Sequence, residues 1–488
     1  MSSLNIREFA TIGLEDRVPE ASRVVGNALP VQSVITGRRT QKFTAVNGST
    51  FTESQNPTFK LSANSDFLIP SSATLHFKLK KDSGNGVFDD VPALAVLNRA
   101  ILRCSGVLVE DVLEVGRSST AMVYSHMSPE RYEGQGSIET GNWKWNTQYG
   151  SNAVTALPTA ITSAIAGSPT DAELNALATP VSEMVEASRC DGKGVAARAA
   201  RFFTEIGAGP IFNDIEVNVP LSYIFGLFRT NRLFPLSFIG QLEIEFTLAQ
   251  ALRAMVGTAS TYSITDTYIT ADLAQLSDDY LKVLAQSFAS PEPSMAYNLP
   301  VDTLTNITQN KPVTATGSLN SYVYSKSTPF LKAIMFVSQD NTQTSASYSS
   351  SGMPNLLAAN SQVQLRIGSE IFPQFGSLDT AKQVFRHNYI GLGAQGSVQT
   401  QLGLTNHENF TDDTDAGGIN YTLFSFAKVN GLGDEYYELD SYDASLQGSV
   451  IDYQVNQAHP SIVSCNTMAI IEHTRIARIG GGKFEVKA

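Results

Sequence analysis

The sequence predicts a mainly β protein made of two tandem β-sandwiches, with a few short helices in the connections. Three observations carry this: short apolar runs alternating with period two, scarce helical segments, and a weak internal echo between the halves. With 488 residues the chain is long enough for two large domains, each able to bury its own core.

The alternating runs are bounded by Gly, Pro, Asn and Ser, and fall at 58–62, 73–80, 100–104, 215–219, 241–248, 321–324, 332–338, 362–367, 421–427 and 467–476. In 241–248, Leu242, Ile244, Phe246 and Leu248 share one face and Glu243, Glu245 and Thr247 the other, which predicts a half-buried strand. Helices are expected after start signals. Ser118, Ser119 and Thr120 would open one, Thr170 with Glu173 forms a capping box, and Ser277 and Ser377 would cap two more.

The echo pairs RAILRCSG, containing Arg103, with QVQLRIGS, containing Arg366, and IEFT from Ile244 with IEHT from Ile471. The two spacings differ, which places the longer insertion in the first half, within an Ala-rich stretch near 150–200. The expected organisation is an arm at 1–35, a first sandwich at 36–277 with its insertion near 140–200, a linker with a short helix at 278–295, and a second sandwich at 296–488.

Composition narrows the function. Charged residues make up only 16%, well below the roughly 25% of soluble chains, so small polar groups must cover much of the surface. Such a surface is cheap to desolvate and suits a subunit packed against neighbours. The formal net charge of −12, with Lys and Arg scattered singly or in pairs such as Arg38 with Arg39, disfavours genome binding. No basic, apolar leader opens the sequence, and no run of about 20 apolar residues occurs, so assembly in an intracellular compartment is expected. The sequons at Asn47, Asn306, Asn409 and Asn420 would then stay unused.

The search for chemistry returns structural readings. The six histidines, His76, His126, His387, His407, His459 and His473, form no closely spaced pair, which disfavours a metal site. GLGAQG, with Gly391, Gly393 and Gly396, lacks the helix a dinucleotide fingerprint needs. Asp413, Asp415 and Gly417 resemble the start of a calcium loop, but Phe424 stands where the closing Glu belongs. Gly482 and Lys483 fail the P-loop pattern. Cys104, Cys190 and Cys465 read as reduced core thiols. No catalytic, cofactor or metal residue is expected. The rival reading is a tandem-sandwich glycan binder or glycan-active enzyme, using Trp143, Trp145 and the carboxylates Asp278 and Asp279.

Four stretches, taken in order, resemble the double jelly-roll major capsid proteins of eukaryotic double-stranded DNA viruses, most similarly the polinton-like virus and virophage branch. They are LRIGSEIFP at 365–373, LFPLS at 233–237 with the strand after it, the run from Ile264 to Tyr268 leading into LSDDYLKVLA, and the C-terminal 468–486. Tyr280 and Lys282 depart from the arginines that commonly follow this turn in the larger viruses. The resemblance implies two eight-stranded jelly rolls per chain, with three chains forming a pseudo-hexagonal capsomer that tiles an icosahedral shell. It implies as partners other copies of the chain, penton proteins and minor capsid proteins, an arm turned towards the interior and in reach of an internal membrane, and no sequence-specific nucleic acid. Loops at 140–200, 339–361 and 391–419 would form the outer tower and the threefold contacts.

Overall fold

The computed structural model describes residues 35–63, 66–83, 87–88, 91–127, 136–141, 215–230, 232–256, 261–289, 297–341, 353, 356–392, 420–426, 441–445, 450–459, 462–480 and 483–487. The first half carries β1 (Ile35–Thr44), β2 (Phe51–Thr52), β3 (Thr58–Ser62), β4 (Phe67–Ser83), β5 (Val87–Phe88), β6 (Leu97–Cys104), β7 (Val107–Leu113), β8 (Ile215–Pro220), β9 (Gln241–Leu248), β10 (Met255–Val256) and β11 (Thr261–Leu276). The second carries β12 (Tyr297–Pro312), β13 (Ser318–Ser325), β14 (Leu331–Asp340), β15 (Gln364–Ile367), β16 (Glu370–Phe372), β17 (Thr422–Ser425), β18 (Val450–Gln457), β19 (Ser464–Gly480) and β20 (Lys483–Lys487).

The first half folds its main strands into two sheets, β1-β11-β4-β8 and β3-β9-β6-β7. The second does the same with β12-β19-β14-β17 and β13-β18-β15-β16. Numbering the eight main strands of each half in chain order, one sheet runs 1-8-3-6 and the other 2-7-4-5, identically in both halves. All pairings in these sheets are antiparallel.

Alternation explains the strands with one dry face. In β9, Leu242, Ile244, Phe246 and Leu248 are buried between half-exposed Glu243, Glu245 and Thr247. β18 repeats the pattern. In contrast Ile334, Met335, Phe336 and Val337 of β14 are buried in succession, because both faces of that sheet are covered. Ile334 and Phe336 point into the second half's own core, where Phe336 stacks on Tyr453 with ring centroids 3.9 Å apart. Met335 and Val337 join the cluster that fills the first half.

The echoed arginines are true counterparts: Arg103 lies in β6 and Arg366 in β15, each the fourth strand of its sandwich. The second echo is corrected. IEFT lies in β9, the seventh strand, whereas IEHT lies in β19, the eighth. A half-buried strand of any rank produces such a tetrapeptide, so the match carries no ancestry. The first half still has the longer insertion: residues 105–240 separate its strands four and seven, against 368–449 in the second.

Two helix starts are also corrected. The helix expected from Ser118 begins at Val115, behind Glu114 in the left-handed conformation, and ends at His126. The one expected from Ser377 spans Ala381–Gly391, capped by Thr380, whose hydroxyl accepts from the Gln383 amide. Ser377 instead donates to Asp379. The linker helix spans Asp278–Ala289. Among the described residues no helix is long and apolar enough to cross a membrane.

Candidate functional site: the inter-roll seam and an open sheet face

The helix Val115–His126 sits between the halves, with ten of its twelve residues buried. From it Arg117, only 4% exposed, donates to the Val337 carbonyl at 2.7 Å, to the Asn466 carbonyl at 2.6 Å and to Asn466 Oδ1 at 2.9 Å. One guanidinium thus satisfies groups on β14 and β19, strands whose outer face would otherwise leave those acceptors dry. A second arginine runs the other way. Arg475 of β19 donates to the Val109 carbonyl of β7 at 2.9 Å.

Beside Val109 lies Glu110, buried at 2% exposure. Its two carboxylate oxygens accept from the amides of Gly226 and Leu227, both at 2.9 Å. Burial pushes its carboxyl up to about 7, opposed by those two amide bonds and by the charges of Arg229 and Arg475. The turn so held brings Gly226 against β12. A Cβ on Gly226 would lie 1.5 Å from the Asp302 carbonyl oxygen, so backbone meets backbone where no side chain fits. Asp302 is itself fixed by Lys332 at 2.7 Å and by the Thr474 hydroxyl at 2.7 Å. Arg229 pairs with Glu472 at 3.1 Å across the same seam, and Asn306 donates to the Leu113 carbonyl. Between these polar anchors, Leu304, Met335, Val337, Met468 and Ile470 pack into the first half's core cluster.

The corresponding sheet of the first half, β1-β11-β4-β8, has a different outer face. His76 stacks on Tyr268 with centroids 4.7 Å apart and planes 11° from parallel, and bonds Asn218 and Thr270, each at 2.6 Å. Lys42 Nζ lies 3.7 Å over the Tyr268 ring, and Arg38 pairs with Asp272. Burial lowers the His76 pKa, so this face carries a neutral imidazole near pH 7.

Cys104 and Cys465 are buried and free, and burial pushes the Cys104 thiol up to about 12. His473 bonds Thr305 at 3.0 Å, and its pKa falls to about 3 through burial and the charges of Lys326 and Arg475. Among the described residues no cluster of three or more His, Cys, Asp or Glu is placed to hold a metal. Asp278 opens the linker helix, where a carboxylate complements the helix dipole. Trp143, Trp145, Cys190, His407, the Thr170 capping box, Gly393, Gly396, Asp413 and Asp415 lie outside the described residues, as do residues 1–34 and most of the three long loops. Sequence reasoning passed over Arg117, Glu110 and Gly226. For the first two the only local signal is charge within an apolar run, Arg117 in VGRSSTAMV and Glu110 beside Asp111 in VLVEDVL.

No protein-family model matches the chain and no curated protein matches its sequence. Solved structures do match, over nearly its whole length. The Faustovirus major capsid protein has a TM-score of 0.57 at 10% identity, covering 93% of this chain and 92% of that one. PBCV-1 VP54, in a crystal structure fitted into a cryo-EM reconstruction of the virophage Sputnik, has a TM-score of 0.55 at 14% identity, covering 94% and 99%. A chain of the Sputnik virophage, from a cryo-EM structure at 3.5 Å, has 0.51 at 9% identity, covering 95% and 90%.

The fold is the double jelly roll. At such identities the likeness is one of fold, and it agrees with the strand order 1-8-3-6 and 2-7-4-5 found in each roll. In a double jelly roll the seam just described is the junction of the two rolls within a chain. It joins them through buried side chains, while the connections at the ends of the sheets are free to vary.

Proposed function

We propose that this chain is a major capsid protein that self-assembles into trimeric, pseudo-hexagonal capsomers, and that these tile an icosahedral virus shell in the virion. The observation carrying this reading is two rolls of identical strand order, fused through a buried seam, in a chain whose fold matches viral major capsid proteins over more than nine-tenths of its length. Two equivalent rolls per chain allow three chains to present six similar edges, the shape a hexagonal lattice accepts. The low charge supports the same reading, because polar, uncharged rims make each lateral contact weak while many contacts add up.

In this proposal residues 1–35 form an arm towards the capsid interior, 36–277 the first roll, 278–295 the linker and 296–488 the second roll. The arm would touch a minor capsid protein or an internal membrane, and penton proteins would meet the capsomers at the vertices. The shell task asks for no catalysis and no sequence-specific contact with the genome.

The test is the mass of the purified protein by light scattering, followed by negative-stain microscopy of the same peak. A trimer with a hexagonal outline is expected. A monomer that stays monomeric at high concentration overturns the reading.

A further inference from the structure

We propose that the cavity at the inter-roll seam, between the helix Val115–His126 and the turn at 221–229, binds an uncharged single-chain amphiphile, of which a fatty alcohol is the simplest. The inference needs only the seam within one chain and is independent of the capsomer reading.

The helix builds one wall through its period. Ser119, Met122, Val123 and His126 stand at i, i+3, i+4 and i+7, so they form one stripe, and all four line the same cavity. The turn supplies a second wall through Tyr223, Phe228 and Arg229, and Glu472 of β19 joins it from the second roll. The volume of about 620 Å³ falls within the roughly 300–1,000 Å³ of small-molecule sites.

The chemistry of the lining is divided. Met122, Val123, Met127 and Phe228 are apolar, and the unbranched methionines adapt to the shape of a chain. The charged groups, by contrast, balance one another. Arg229 donates through Nε to the Ser222 carbonyl at 2.9 Å and through Nη1 to Glu472 at 3.1 Å. His126 Nδ1 lies 3.2 Å from the Met122 carbonyl, which can only accept, so Nδ1 carries the proton and Nε2 remains an acceptor. Desolvation in this recess lowers the His126 pKa against the pull of Glu472, so the imidazole is neutral near pH 7. An anionic head would meet Glu472 and a cationic one Arg229, each already paired with the other. An uncharged head avoids both penalties.

Ser119 selects among uncharged heads. On the same helix Ser118 donates to the carbonyls of Glu114 and Val115, and Ser125 to that of Met122. Ser119 is wholly buried as well, yet its hydroxyl has no partner. A buried hydroxyl left unpaired costs free energy that a hydrogen-bonding guest restores. A guest hydroxyl both donates and accepts, which suits Ser119 together with the acceptors on His126 and Glu472. Because the walls come from both rolls, the guest binds only the docked form and so stabilises the folded chain.

The experiment follows thermal unfolding of the full chain while decanol, decanoate or decylamine is titrated at pH 7. Decanol should give a saturable rise in midpoint of about 2 °C or more, with decanoate and decylamine binding at least about fivefold more weakly. Met122→Trp fills the cavity and should abolish the decanol response. Ser119→Ala should leave the midpoint without decanol unchanged, since the hydroxyl has no partner to lose, and weaken decanol binding about fivefold, the worth of one hydrogen bond. A wild type with no saturable response, or a response undiminished in Met122→Trp, overturns the site. Decanoate or decylamine binding as tightly as decanol, or Ser119→Ala binding decanol like the wild type, overturns the hydroxyl assignment. Should Met122→Trp fail to fold, hydrogen exchange on the wild type decides. Protection gained with decanol must include both 115–127 and 221–229, and protection confined elsewhere rejects the proposal.

Discussion

Gly226 approaches Asp302 so closely that the space a Cβ would need is already filled by a carbonyl oxygen, 1.5 Å from the Cβ position. The two residues belong to different rolls, and their backbones set the distance between those rolls. Gly226→Ala cannot be absorbed by a rotamer change, because the obstacle is main chain. The turn must withdraw, pulling the Gly226 and Leu227 amides from Glu110. We expect a loss of about 3 kcal/mol or more in unfolding free energy, combining overpacking with broken buried hydrogen bonds. Urea denaturation measures it, and a variant with the wild-type midpoint would show that the seam is softer than described.

Arg117 tests the polar part of the seam. Arg117→Leu leaves the Val337 and Asn466 carbonyls without their donor, at an expected loss of about 2–4 kcal/mol. Arg117→Lys keeps the charge but lacks the planar fork that reaches both strands, so it should recover only part of that loss. A Lys variant as stable as the wild type in denaturant titrations would mean that charge, not the fork, matters there.

Glu110 gives a pH signature. Its folded carboxyl is raised to about 7 from the ordinary value of 4.5. Between about pH 4.5 and 7 the folded chain therefore holds a proton that the unfolded chain has lost, and the Glu110 contribution falls as pH rises through that window. His473 acts oppositely: its folded pKa is near 3, below the ordinary 6.5, so the unfolded chain binds the extra proton and stability rises with pH between those values. The difference between wild type and Glu110→Gln isolates the carboxyl. The variant should lack its falling component, worth at most about 3 kcal/mol. Unfolding free energies measured from pH 4.5 to 8 that run parallel for both proteins would reject this assignment.

Much of the fold is legible in the residues, for a physical reason that also marks where reading fails. β3, β9 and β18 have one dry face and one wet, so their period-two alternation is written directly in the chain. β12 and β19 bury residues on both faces over part of their length, which blurs the alternation. β1, ITGRRTQKFT, is exposed nearly throughout, and its pairing with β11 is what makes it a strand. The Arg103 and Arg366 echo found a true repeat, while IEFT and IEHT paired strands of different rank.

What the sequence determined by itself was the class: many short amphipathic strands, two similar halves, and a composition poor in charge. Only the tertiary structure decided the seam. Arg117 and Asn466 stand 349 positions apart and Arg475 and Val109 366, and no local pattern records which distant carbonyl a buried guanidinium will meet. Alternation depends on a residue's nearest neighbours in the strand and so survives in one dimension. The junction of two rolls depends on which surfaces the completed sheets turn towards each other, and that is settled only when both have folded.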